Sequence, residues 1–113
     1  MPHCVIEYSE GLESLTDPEH LIKAVFQGAL SSGLFTEPDI KTRAVSYKHY
    51  QTGAEQKEFV HVTLKILSGR TIEQRHSLSE VVLQKLQALE LHAVSFTAEV
   101  CEMEKASYAK AVL

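Results

Sequence analysis

The sequence predicts an α+β fold in which a four-stranded mixed sheet carries two helices on one face. Hydrophobic periodicity alternates between strand and helix patterns, in the order strand, helix, strand, strand, helix, strand. The segment that holds His3 and Gly11 also aligns with the segment that holds His61 and Gly69, at a shift of 58 positions. The chain therefore has the pattern of two β-α-β units joined in tandem.

A length of 113 residues suits one domain with a hydrophobic core of its own. We expect residues 1–113 to form that domain, with pseudo-repeats at about 2–51 and 59–103. A net charge of −4 with scattered Lys and Arg argues against a nucleic-acid partner. No apolar run is long enough to span a membrane, and no leader precedes the first strand, so we expect a cytoplasmic protein.

The first unit is expected to begin with a strand at Pro2–Tyr8. Asp17 followed by Pro18 predicts a helix start, because Asp caps free N–H groups and Pro needs no hydrogen-bond partner there. Gly33 predicts the end of this helix. Its apolar face comprises Leu21, Ile22, Val25, Phe26, Ala29 and Leu30. A second strand is expected within Ile40–Gln51.

The second unit is expected to repeat this order. Phe59–Leu67 is rich in β-branched and aromatic residues and predicts a strand. Thr71 and Gln74 match a capping box at a helix start. The apolar stripe of that helix comprises Leu78, Val82, Leu86 and Leu89. Strict alternation over Ala93–Cys101 predicts the last strand.

Neither cysteines nor histidines indicate a disulfide or a metal site. Cys4 and Cys101 lie in separate strands, and we interpret both as buried free thiols. The six histidines have no spacing typical of zinc ligands. We expect no cofactor and no metal.

Pro2 is the most informative residue for chemistry. A small second residue allows removal of Met1, which would turn the Pro2 nitrogen into a secondary amine. The ordinary pKa of an α-amino group, roughly 7.7–8.0, is close to that needed by a general base at neutral pH. If Met1 is retained, the same nitrogen is an amide and cannot act as a base. The alternative is that Pro2 only begins an edge strand.

Nearly the whole chain resembles the 5-carboxymethyl-2-hydroxymuconate isomerase family of the tautomerase superfamily. Its second half, from Val62 to Met103, also resembles the short subunit of 4-oxalocrotonate tautomerase. The segments that carry the resemblance are Pro2-His3, Gly33-Leu34-Phe35, Ile40-Lys41-Thr42-Arg43, Phe59 to Ile66, and Gly69-Arg70.

The resemblance implies a homotrimer that uses no cofactor and in which Pro2 is the catalytic base. Arg70 and Arg43 match arginines that bind substrate carboxylates. Lys41 stands where the compared isomerase has an arginine, so it keeps the charge but loses the planar fork. The implied substrate is a small carboxylated dienol, such as 5-carboxymethyl-2-hydroxymuconate, which is ketonised in aromatic-acid catabolism.

Several alternatives stay open. Arg70 and Lys41 could face solvent, and we interpret His3 and His61 as a shared packing position rather than as catalytic groups. Another superfamily reaction, such as a phenylpyruvate-type tautomerase or a dehalogenase, would use the same Pro2. A β-α-β duplication is also compatible with a non-enzymatic ligand-binding or assembly module.

The sheet face opposite the helices is expected to be apolar. Such a face would be uncovered in a monomer, which gives a physical reason for self-association. The number of subunits, three, comes from the resemblance alone.

Overall fold

The computed structural model describes residues 1–113. Four strands and two helices follow the predicted order: β1 (His3–Ser9), α1 (Pro18–Ser31), β2 (Lys41–Tyr47), β3 (Glu58–Leu67), α2 (Ile72–Gln87) and β4 (Val94–Met103). Three short 3₁₀ segments lie between or after them, at Glu10–Ser14, Glu37–Asp39 and Lys105–Ser107. The first of these replaces the turn that the sequence indicates after β1.

The sheet is mixed and has the order β2-β1-β3-β4. Each outer pair is parallel, β1 with β2 and β3 with β4, whereas the central pair β1 and β3 is antiparallel. His3 lies opposite Lys41 on β2 and Lys65 on β3. The starts of β1 and β2 therefore share one edge with the ends of β3 and β4. We call this edge the proline edge, after Pro2. The predicted α+β class is confirmed.

The helix boundaries follow from local chemistry. The Asp17 side chain accepts a hydrogen bond of 2.9 Å from the Glu19 N–H, and Pro18 occupies the first turn. Thr71 and Gln74 form both halves of the predicted capping box. Gly33 has a φ of +75°, a conformation that glycine adopts without steric cost just beyond the end of α1.

Both helices pack on one face of the sheet and against each other. Alternate strand residues point into this layer, so the core combines apolar side chains from all parts of both units: Cys4, Ile6, Tyr8, Leu12, Leu21, Val25, Ala29, Ile40, Val60, Val62, Leu64, Ile66, Leu78, Val82 and Leu86. The helices approach closely at Gly28, where a Cβ atom would lie 2.9 Å from the Cα of Val82. The two units thus share one core rather than forming two.

The opposite sheet face is largely polar, so the prediction of an apolar face is wrong. Strand residues that alternate with the buried ones point outward, and they include His3, Arg43, His61, Lys65 and Glu99. The expectation failed because it treated the uncovered face as a second apolar layer, whereas the alternation places apolar side chains mainly on the helix side. Any association through this face must rely on polar contacts as well as apolar ones.

The cysteines differ in burial. Cys4 is fully buried, and burial raises the pKa of its thiol to about 11. Cys101 is only half-buried on the outer face, where its Sγ donates to Glu99 Oε1 at 3.3 Å. The prediction of a buried thiol is therefore correct for Cys4 and wrong for Cys101. Neither forms a disulfide within the chain. Neither helix has the length and apolar character needed to cross a membrane.

Candidate active site

Pro2 lies immediately before β1, and its ring is fully buried. Its carbonyl accepts a hydrogen bond of 3.0 Å from the Lys41 N–H, which extends the pairing of β1 with β2. The Met1 amino group donates to the Asp39 carbonyl at 3.0 Å. The chain terminus is thereby held beside the start of β2.

The surroundings of this terminus disfavour a charged amine. Burial lowers the pKa of the Met1 amino group from its ordinary value, and the nearby Lys41 lowers it further. Asp39 acts in the opposite direction, and Lys110 adds to the lowering. An amine at the proline edge therefore loses its proton at a lower pH than an exposed terminus does.

Two of the predicted binding residues, Lys41 and Arg43, project outward from β2 and are exposed. The Lys41 Nζ donates to the Asp39 carbonyl at 3.2 Å. The Arg43 guanidinium lies 3.2 Å from the Nδ1 of His3, which is the residue after Pro2. The fold thus brings both cations to the strand end that carries Pro2.

His3 and His61 both lie on the outer face of the sheet, at equivalent positions of the two units, and the interpretation of a shared packing position stays a prediction. The Nδ1 of His3 faces Arg43, and its Nε2 lies 3.0 Å from the hydroxyl of Tyr108. Burial lowers the pKa of the His3 imidazole, and Arg43 and then Lys41 lower it further. His3 is therefore held in the neutral form.

Arg70 lies in the turn that follows β3, at the same edge of the sheet. Its Nη2 donates to the Leu34 carbonyl at 2.7 Å, and its guanidinium carbon lies 5.6 Å from the centre of the Phe35 ring. Within one chain this arginine pairs with the turn after α1. The fold thus brings Arg70 to the same edge as Lys41 and Arg43.

The C-terminal segment supplies two residues that sequence reasoning missed. Tyr108 bonds to His3, and the Lys110 Nζ lies 3.5 Å from Asp39 Oδ1. The segment follows the last element of the second repeat and has no counterpart in the first, so neither periodicity nor the internal alignment indicated it.

Other concave surfaces lie away from this edge. One is formed by residues 56–58 and 93–95, a second by the end of α2 and the start of β4, and a third by the outer surfaces of α1 and α2. None of them includes Pro2. No group of three or more His, Cys, Asp or Glu side chains is placed to hold a metal ion.

A family model described as 5-carboxymethyl-2-hydroxymuconate isomerase matches residues 2–111. The chain belongs to the 5-carboxymethyl-2-hydroxymuconate isomerase family. The 5-carboxymethyl-2-hydroxymuconate Delta-isomerase of Escherichia coli is 28% identical over 89 residues, which cover 77% of this chain and 71% of that protein. The family match includes Pro2, Lys41, Arg43, Arg70 and Tyr108 within its bounds.

Solved structures agree with this membership. A 5-carboxymethyl-2-hydroxymuconate isomerase from Deinococcus radiodurans R1 is 27% identical, with a TM-score of 0.71 over 97% of this chain and 88% of that one. A crystal structure of a 5-carboxymethyl-2-hydroxymuconate delta-isomerase reaches a TM-score of 0.86 at 20% identity, covering 99% and 89% of the two chains. A fused 4-OT trimer shares the fold, with a TM-score of 0.79 at 17% identity over 96% and 91%.

Together, the family match and these relatives make the chain an isomerase of the tautomerase superfamily. The resemblance recognised in the sequence is confirmed. The predicted roles of Pro2, Arg70, Arg43 and Lys41 stay predictions.

Proposed function

We propose that this isomerase ketonises a small carboxylated dienol, such as 5-carboxymethyl-2-hydroxymuconate, with the amine of Pro2 as the proton carrier. The reaction needs no cofactor and no metal. It would serve aromatic-acid catabolism in the cytoplasm, after ring cleavage. The observation that carries the proposal is the partly buried chain terminus beside Lys41, in a chain whose family is named for this isomerisation.

Removal of Met1 is the first requirement, because it converts the Pro2 nitrogen from an amide into a secondary amine. Burial and the charge of Lys41 lower the pKa of the amino group that now ends the chain. The same surroundings would act on the Pro2 amine one residue further on. A lowered pKa increases the share of the unprotonated amine at neutral pH, which is the form that can accept a proton.

The reaction is a proton shift in which no atoms are gained or lost. The Pro2 nitrogen takes the proton from the enol hydroxyl, and the electron pair of that O–H bond becomes the second bond of the carbonyl. The conjugated double bonds shift, and the carbon at their far end takes the proton back from the Pro2 ammonium. The product is the unsaturated keto isomer, and the amine is regenerated.

Arg43, Lys41 and Arg70 would bind the carboxylates and the negative charge that develops on the oxygen. A guanidinium binds a carboxylate through two parallel N–H donors, whereas Lys41 offers a point charge. Three cations at one edge suit a substrate with two or three carboxylates. Both Lys41 and Arg43 are exposed, which leaves their charges accessible to such a substrate.

We propose that the enzyme is a homotrimer in which sites form near subunit boundaries. Support comes from the fold, which is shared with a fused 4-OT symmetric trimer, and from the outer sheet face, which no helix covers. Because this face is polar, its hydrogen-bonding groups would need partners in the assembly. Sedimentation or light scattering would give three times 12.6 kDa.

The decisive experiment follows ketonisation of 2-hydroxymuconate and its 5-carboxymethyl relative by ultraviolet absorbance. The protein must have an intact mass that proves loss of Met1. Rapid turnover, higher for the 5-carboxymethyl substrate, is expected. No turnover of either compound by verified protein would contradict the proposal.

Arg70 can be tested in the same assay. Arg70→Ala should lower kcat/KM for the carboxylated substrate about tenfold or more, because charge-assisted hydrogen bonds are lost. An uncharged ester analogue should be affected little. An equal loss with both substrates would remove the carboxylate-binding role. Exposed Lys23, which lies on the outer surface of α1, provides the matched control Lys23→Ala.

A further inference from the structure

The C-terminal segment crosses the proline edge and contacts residues on both sides of Pro2. Tyr108 bonds to His3, which follows Pro2 directly. Lys110 pairs with Asp39, whose carbonyl accepts the hydrogen bond from the chain terminus. Two independent contacts therefore fix this segment beside the position of the amine.

Only one assignment of donor and acceptor to the two ring nitrogens of His3 satisfies both of its hydrogen bonds. A guanidinium can donate but cannot accept, so the His3 Nδ1 must offer its lone pair to Arg43. In a neutral imidazole the proton then resides on Nε2, which donates to the Tyr108 hydroxyl oxygen. A hydroxyl can donate or accept, so Arg43 sets the tautomer of His3, and Tyr108 supplies the acceptor that holds the ring with its Nδ1 toward Arg43.

Charge supports the same arrangement. A protonated His3 would have no acceptor for Arg43 and would place two positive groups side by side. The nearby Lys41, Lys65 and chain terminus also oppose a positive charge on this ring. The neutral imidazole is thus the form that links the C-terminal segment to β2.

We propose that Tyr108 is a positioning residue which, by holding the His3 ring in place, orients the Arg43 guanidinium for substrate carboxylate binding. This inference rests on the proposed function, because it assigns Arg43 to the substrate. Tyr108 acts on binding and not on proton transfer by Pro2. The C-terminal segment is then part of the specificity for carboxylated substrates.

Tyr108→Phe removes only the hydroxyl and retains the ring, whose centre lies 6.2 Å from that of His3. We expect KM for the carboxylated dienol to rise about threefold to tenfold, the effect of one hydrogen bond, with kcat within about twofold. KM for an uncharged ester analogue should not change. Tyr50→Phe is the matched control, because Tyr50 packs on Phe59 away from this edge, and it should leave both constants unchanged.

A second measurement does not depend on turnover. Nitrogen-15 NMR of the imidazole groups distinguishes the two tautomers, and His3 should be in the Nε2–H form in both the unaltered protein and Tyr108→Phe, because Arg43 is present in both. In Tyr108→Phe the Nε2–H group loses its acceptor, so we expect its proton to exchange faster with water than in the unaltered protein. An unaltered protein without turnover would overturn the proposed function, while the NMR comparison would still test the link from Tyr108 to His3.

An unchanged exchange rate of the His3 Nε2–H proton in Tyr108→Phe would overturn the inference. So would a faster exchange with an unchanged KM, because positioning of Arg43 would then not matter for binding. A fall in kcat with KM unchanged would also contradict it, since that result places Tyr108 in the chemical step.

Discussion

The two β-α-β units place a histidine in the same position but give it partners of opposite charge. His3 lies opposite Lys41, and His61 lies opposite Thr97, at equivalent points of the two parallel strand pairs. Each imidazole contacts the residue two positions further along the neighbouring strand. That residue is Arg43 in the first unit and Glu99 in the second.

We propose that this difference separates a substrate-binding surface from a structural one. In the second unit the His61 Nε2 lies 2.6 Å from Glu99 Oε2, and its Nδ1 lies 2.7 Å from Thr97 Oγ1. In the first unit Arg43 has no carboxylate partner within the chain. The Glu99 carboxylate thus has a hydrogen-bond partner within its own unit, whereas the positive charge of Arg43 has no such carboxylate partner.

The shared positions support a common origin for the two units. We infer that they arose by duplication, and that later substitutions at the Arg43 and Glu99 positions assigned them different tasks. Substitutions in each unit test whether the two histidine positions differ in function.

The largest expected effect comes from Arg43. Arg43→Ala should lower kcat/KM for the carboxylated dienol about 10-fold to 100-fold, because a charged hydrogen-bond donor to the substrate is lost. Glu99→Gln, at the equivalent position of the second unit, should stay within about twofold. Steady-state kinetics on both variants, with the oligomer mass verified, test this. Equal losses in the two variants would show that the units do not differ in function.

A smaller effect concerns the contact between the units. Gly28→Ala should reduce the free energy of unfolding by about 1–3 kcal/mol, because the new methyl group meets the Val82 backbone, which cannot move aside independently. Gln27→Ala, exposed on the same helix, should change it by less than about 0.5 kcal/mol. Urea unfolding at one fixed protein concentration measures both. Similar stabilities for the two variants would mean that the helices are not closely packed here.

Much of this architecture could be predicted from the sequence. Capping residues such as Asp17 and Thr71, together with strict alternation in β3 and β4, act locally and therefore determine helix starts and strand faces. The family resemblance also identified Arg43 and Lys41 as candidates, and both project from β2 at the proline edge. For the helix starts and strand faces the local sequence pattern sufficed, because they depend on neighbours within a few residues.

The remaining features depend on contacts between distant parts of the chain. The hydrogen bond between Tyr108 and His3 joins residues 105 positions apart, and a single tyrosine in the C-terminal tail carries no periodic signal. The polar outer face was missed for a different reason: the alternation was read for its buried residues, and the His and charged residues between them were not counted as a surface.

The smallest expected effects are two pH dependences of stability. His3 has a folded pKa below its ordinary value of about 6.5, so the unfolded chain binds more protons between these two values. The unaltered protein should lose stability relative to His3→Gln as the pH falls below about 6.5, until the folded pKa is passed. Urea unfolding across pH 5 to 8 measures this. A constant difference would show that His3 is not held neutral.

Glu99 should act in a more acidic range. His61 first, and Cys101 second, hold the pKa of the Glu99 carboxyl below its usual range by hydrogen bonding. Its contribution is therefore fully present above the unfolded pKa, about 4.3, and is lost as the pH falls through the folded value. Comparison with Glu99→Gln between pH 3 and 6 should show this loss. If the stability difference for Glu99→Gln changed over the same pH range as that for His3→Gln, the contrast between the units would be contradicted.

The proposed function requires that the amine of Pro2, which only the first unit provides, carries the proton in the reaction. The measurement compares the ketonisation rate of the carboxylated dienol, across pH, for protein without Met1 and for protein that retains it, both verified by intact mass. We predict a rate that rises with pH to a plateau, with a midpoint below roughly 7.7–8.0, for the processed protein only. Equal rates for the two forms would contradict the account, because the retained Met1 leaves no amine at Pro2.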